Sequence, residues 1–193
     1  MSSKKSSSII TMVLLSTAAL FADPILIAGW NWVDAEGVFH EYAAYDFPCR
    51  SWDISNDQID GTWYPATITS SEEQDALIAG LRGIQGEYWL GGYQTGRGTD
   101  LADNWAWVTG ETWDYKNWAP GEPNDAYGKA SEQHLAVWSA WGTERWLWND
   151  EGYLPNIKGY IAETSHSVPE PTMLSLCFAG FLAIGCMAGK RKV

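Results

Sequence analysis

Between residues 122 and 150 the sequence places five side chains that carry oxygen ligands. Glu122 and Asn124 flank Pro123, Glu132 follows eight residues after Asn124, and Asn149 and Asp150 stand together further on. Carboxylate and amide oxygens without sulfur or imidazole among them suit a hard cation. Ca²⁺, which takes about six to eight oxygens in a flexible geometry, is the best match. Glu122, Glu132 and Asp150 brought together would repel one another unless a cation lay between them. Glu122 and Glu132 also have the residue types of a glycosidase acid and base. Both are consumed as ligands if a cation is held, however, and no further acid, base or nucleophile stands out. The expectation is a binding protein and not an enzyme.

The elements that must position these residues are legible in outline. Residues 109–131 contain Pro120, Pro123 and several Gly and Asn, the composition of a long structured loop. After Gly86 come short aromatic-rich runs at residues 88–90, 105–108, 135–138, 146–148 and 160–162, which read as strands separated by turns. Before it, residues 37–45 read as a strand and Ser51 caps a short helix. Ser70 with Glu73 forms a capping box, and the helix that follows is apolar on the face of Leu77, Ile78 and Leu81. Helices first and short strands later define an α+β domain. Thirteen Trp lie between Trp30 and Trp148, and of these Trp105, Trp107, Trp113, Trp118, Trp146 and Trp148 belong mostly to its core, because such strands alternate inward and outward.

Charge narrows the ligand. From Asp23 to Glu170 the chain has 24 acidic residues against seven basic ones, a net charge of −17. Such a domain has no basic face to neutralise phosphates, which excludes nucleic acid as a partner. Of the three cysteines, Cys177 and Cys186 fall in an apolar C-terminal run, leaving Cys49 as a lone thiol in the domain. No disulfide framework and no zinc spacing results.

Residues 1–22 read as a secretory signal: Lys4 and Lys5, an apolar run from Ile9 to Leu20, then small residues, with cleavage after Ala19 or Ala22. At the other end, residues 168–193 begin Val168-Pro169-Glu170-Pro171. A charge-free stretch from Thr172 to Gly189 follows, and the chain closes on Lys190-Arg191-Lys192. Eighteen residues at about 1.5 Å each make roughly 27 Å, close to the hydrocarbon thickness of a bilayer. The basic end favours the cytoplasmic side and leaves the domain outside. Proline pair, span and basic end together resemble the PEP-CTERM sorting signal. That resemblance implies an exported protein of the cell envelope or surface, anchored in the membrane before an exosortase processes its tail. A plain C-terminal anchor has the same topology.

Order and spacing give the middle a second resemblance. Trp118-Ala119-Pro120-Gly121-Glu122-Pro123-Asn124, then Glu132, then Trp148-Asn149-Asp150 are similar to the C-type lectin domain. So are residues 66–73, Tyr88-Trp89-Leu90-Gly91-Gly92 and Gly159-Tyr160-Ile161-Ala162-Glu163, so that the match runs over residues 37–163. The resemblance implies the C-type lectin-like fold, with two helices, short antiparallel strands and a long Ca²⁺-binding loop, and a cis bond before Pro123. It implies one Ca²⁺ held by Glu122, Asn124, Glu132, Asn149 and Asp150, the same residues meeting two vicinal sugar hydroxyls. The order Glu-Pro-Asn implies equatorial 3- and 4-hydroxyls of the mannose or glucose type, on a glycan or exopolysaccharide. Departures are equally specific. His134, Tyr153 and Ala162 stand where the family has cysteines, and Gln94 and Gln133 stand where an auxiliary Ca²⁺ site has carboxylates, although Asp125 matches one of that site's ligands. A domain of the same fold that holds Ca²⁺ for rigidity, or that meets a protein partner without sugar, is the alternative.

Overall fold

The computed structural model describes residues 23–128, 130–140 and 144–167, so the signal and sorting segments lie outside the described residues. Strands β1 (Ile25–Val33) and β2 (Val38–Asp46) form a hairpin. At its turn the carboxylate of Asp34 accepts from the N–H of Val38 at 2.7 Å, and Gly37 takes the positive φ of 81° that side-chain-bearing residues resist. Next come α1 (Trp52–Asn56), β3 (Tyr64–Pro65), α2 (Ser71–Gly80), β4 (Glu87–Gln94), β5 (Trp105–Trp107), β6 (His134–Trp138), β7 (Leu147–Glu151) and β8 (Ile157–Ser167). One sheet joins all the strands in the order β1-β2-β8-β4-β6-β7, with β3 added to β8 and β5 to β4. Among the described strand pairs β4–β8 alone is parallel, and an isolated parallel bridge joins Trp118 to Trp148. The long loop between β5 and β6 is irregular, as its prolines imply.

The sheet begins at Ile25, ahead of the Gly37 boundary read from the sequence, and continues to Ser167 beyond Glu163. β1 escapes a sequence reading because it lies on the sheet edge and keeps Ile25, Leu26 and Val33 exposed, which spoils the alternation of a half-buried strand. The capping box also differs in one arm. Ser70 Oγ accepts from the N–H of Glu73 at 3.1 Å, but the Glu73 carboxylate accepts from the N–H of Thr69 at 2.7 Å and from the Tyr42 hydroxyl at 2.6 Å. That carboxylate is buried, and the phenol offers it a partner inside the fold.

Alternation in the strands sends residues to two clusters. Leu90, Leu135, Val137, Trp146 and Trp148 join Leu77 of α2 and Leu81 at its C-cap, while Trp89, Ala136, Ile157 and Tyr160 pack with Phe47. Trp148 is fully buried among the rings of Trp107, Trp113, Tyr115 and Trp118, at centroid distances of 5.5–5.8 Å. Its indole N–H donates to Gln74 of α2 at 3.1 Å. An indole so enclosed fixes the register of β7, and with it the places of Asn149 and Asp150.

Candidate functional site

The loop reaches β7 in two steps. First, residues 117–119 run alongside Trp148: its N–H donates to the carbonyl of Asn117 at 2.9 Å, and the N–H of Ala119 donates to its carbonyl at 2.8 Å. A turn follows, in which the N–H of Glu122 returns to the carbonyl of Ala119 at 2.9 Å and Gly121 takes a φ of 99°. The Glu122–Pro123 bond is cis. Second, the Asp150 carboxylate accepts from the N–H of Asn124 through Oδ1 and from that of Asp125 through Oδ2, each at 2.8 Å. The Glu132 carboxylate accepts from the N–H of Ala126. Glu122, Glu132 and Asp150 are thereby gathered around one turn of chain.

Their electrostatics are those of negative charge without enough compensation. The Glu122 carboxyl is pushed up from the ordinary carboxylate range by burial, by its hydrogen bond with Asp150 and by the charges of Asp150, Glu132 and Glu151. Burial is also the main cause that lifts Glu132 to about 7, with Asp150 and Glu151 adding to it. Oε2 of Glu122 is buried and has no hydrogen-bond partner among the described residues. An orphaned carboxylate oxygen beside two further carboxylates fits a divalent cation, and the all-oxygen donor set fits Ca²⁺.

The two asparagines stand differently. Asn124 is exposed, joined to the cluster through its backbone. Asn149 pairs with Ala136 across the sheet and donates its amide to Glu87 at 2.8 Å and to Glu151 at 3.5 Å. Glu151 is fully buried, takes the N–H groups of Gly152 and Tyr153 at 2.9 and 2.6 Å, and accepts from Asn156 at 3.2 Å. Burial pushes Glu87 up strongly, with Glu151 adding to it. The sequence reading did not single out Glu87 or Glu151. Glu151 directly after Asp150 looks like one more solvated acid, and only the inward phase of β4 hints at Glu87.

Asp125 and Gln94 bear on the auxiliary position. Asp125 accepts from Arg97 at 2.8 Å and from the N–H groups of Ala130 and Ser131 at 3.0 and 2.9 Å, so it organises the loop through an arginine cation. Gln94 donates to the carbonyls of Leu101 and Asp103. His134 packs against Trp52 at a centroid distance of 4.7 Å, and burial lowers its pKa, in keeping with a packed residue where a cysteine is common.

A second grouping of charged side chains lies elsewhere. His40, Glu73 and Glu163 bring ligand-type atoms within 4.8 Å of one another. The imidazole Nδ1 meets Glu163 at 2.8 Å, and Glu163 also accepts from the Thr67 N–H at 2.9 Å and the Tyr64 hydroxyl at 3.0 Å. With the Glu73 bonds already described, this network ties β2, α2 and β8 together.

The architecture is the C-type lectin-like fold. The C-type lectin CEL-I from Cucumaria echinata superposes with a TM-score of 0.53 at 20% identity, over 67% of this chain and 91% of that one. In sequence, human C-type lectin domain family 4 member G is 28% identical over 138 residues, 71% of this chain and 43% of that protein. Perlucin from Haliotis laevigata is 33% identical over 86 residues, 43% of this chain and 50% of perlucin. The chain spans half or less of the length of these curated relatives. No family model matches it.

Proposed function

We propose that this chain is an exported, non-enzymatic member of the C-type lectin family that binds glycan in a Ca²⁺-dependent way. One Ca²⁺ is held by Glu122, Asn124, Glu132, Asn149 and Asp150, and the bound ion offers two coordination places to vicinal sugar hydroxyls of the mannose or glucose type. The observation that carries this reading is the gathering of Glu122, Glu132 and Asp150 around one loop, with a buried Glu122 oxygen left without a partner. Around the ion an Asn amide donates to a hydroxyl and a Glu carboxylate accepts from it, so the same side chains serve metal and sugar. The Arg97–Asp125 pair supports one ion and not two, since a cation of the chain already meets that carboxylate. The tail reading adds an exosortase and the membrane as partners, and an envelope polysaccharide as the natural ligand. The test is binding to mannose-bearing and galactose-bearing surfaces with Ca²⁺ and with EDTA. Mannose binding abolished by EDTA is expected, and binding indifferent to EDTA contradicts the reading.

One observation favours a second reading, in which Ca²⁺ stiffens the loop for a protein partner. The Asn149 amide is donated to Glu87 and Glu151, so a donor needed at the sugar is engaged within the fold. Ca²⁺ binding without inhibition by any monosaccharide would select it.

A further inference from the structure

Two large aromatic side chains lie open at the rim of the acidic cluster. Tyr127 is 61% exposed and Tyr153 46%, and their rings face each other at a centroid distance of 5.5 Å and a tilt of 36°. Both are fastened to the cluster through the backbone. Ala126, next to Tyr127, donates its N–H to Glu132, and Tyr153 donates its own to Glu151 at 2.6 Å. Elsewhere in the domain large aromatic rings pack inward: Trp89, Trp107, Trp146 and Trp148 are fully buried. A tyrosine pair left open therefore stands apart from the core.

An exposed tyrosine offers an apolar face together with a polar tip, the combination that suits a surface both wetted and stacked. A pyranose ring presents the complement, a face of C–H groups with hydroxyls at its edge. We propose that Tyr127 and Tyr153 form a subsite for the sugar residue next to the one held at Glu122 and Asn124, so that the chain selects an oligosaccharide over a monosaccharide. This rests on the sugar-binding reading of the loop. The subsite needs no metal of its own, and its energy comes from stacking, so it changes the ranking of ligand lengths and leaves the Ca²⁺ affinity alone.

The experiment is titration calorimetry of the full chain at saturating Ca²⁺ with methyl α-mannoside and with an α-linked mannobiose. The wild type should bind the disaccharide about tenfold more tightly, the factor that stacking of ordinary strength supplies. Tyr127→Ala and Tyr153→Ala should each bring the two ligands to within about twofold while methyl α-mannoside and Ca²⁺ bind as before, and Tyr→Phe at either position should keep the preference. Equal affinity of the wild type for the two sugars, or a preference that survives both alanine variants, overturns the subsite alone. Failure of the wild type to bind either sugar overturns the sugar reading of the loop and the subsite with it.

Discussion

Asp150 holds Asn124 in place: its Oδ1 accepts from the Asn124 N–H at 2.8 Å, while Oδ2 takes the next N–H, that of Asp125, at the same distance. A residue of β7, the second-last strand, thus decides where a loop residue 26 positions earlier can stand. The carboxylate cluster and the fold of the loop are consequently not separable, since the Asp150 carboxylate belongs to both.

Asp150→Ala is expected to remove both fastenings and to destabilise the protein by about 2–4 kcal/mol, because each is a hydrogen bond to a charged group. Asn149→Ala leaves them intact. Both variants should lose Ca²⁺, but only Asp150→Ala should speed hydrogen exchange at the amides of Asn124 and Asp125. Equal exchange in the two variants contradicts this division of labour.

Gly152 gives a steric test of the same region. A Cβ there would sit 2.0 Å from the carbonyl oxygen of Ser131, directly before Glu132. Gly152→Ala should therefore displace the backbone that presents Glu132, costing about 1–3 kcal/mol of stability and weakening Ca²⁺ binding. Calorimetric titration with Ca²⁺ and a denaturant melt check both halves. A variant that keeps wild-type affinity and stability would show that the segment gives way freely.

Stability should fall as pH rises from about 4.5 toward 8, through the network of His40, Glu73 and Glu163. Hydrogen bonding to Glu163 holds the His40 imidazole above its ordinary range, with the charges of Glu163 and Glu73 and a bond to Asp34 adding to it. Its contribution is complete below about 6.5 and disappears as pH rises through the folded-state pKa. Burial, then the charge of Glu163, lifts Glu73 to about 7, while Tyr42 and Thr69 donate to it and pull the other way. The folded state therefore binds that proton more tightly than the unfolded chain, and stability is lost between about 4.5 and 7, by about 3 kcal/mol at most. Urea midpoints measured across this range should decline, and His40→Gln should flatten the upper part. A variant with the wild-type slope at pH 6.5–8 contradicts the role given to His40.

Much of this was legible in the sequence because the signals are local. Trp148-Asn149-Asp150 alternates inward and outward as a strand must, and the prolines at 120 and 123 mark an ordered loop. Ser70 likewise announces the start of α2. What escaped depends on neighbours distant in the chain. Glu87 meets Asn149 across 62 residues and Glu73 meets Tyr42 across 31, so neither acid differs locally from a solvated one. β1 is an edge strand with exposed apolar residues, which periodicity cannot distinguish from a linker. The open tyrosines were hidden for the opposite reason: among so many core tryptophans, nothing in the sequence marks two aromatic residues as exposed.

The central claim, that Glu122 and Asn124 read a sugar through a shared Ca²⁺, is tested most directly by exchanging their functional groups. Glu122→Gln with Asn124→Asp keeps one carboxylate and one amide, so charge and ligand count stay the same while the donors and acceptors facing two hydroxyls reverse. Inhibition constants for mannose and galactose, measured for the wild type and this double variant at saturating Ca²⁺, should exchange rank, each mismatched contact costing about 1–3 kcal/mol. A variant that retains its Ca²⁺ and leaves the sugar ranking unmoved would contradict the claim and favour a loop stiffened by metal for another partner.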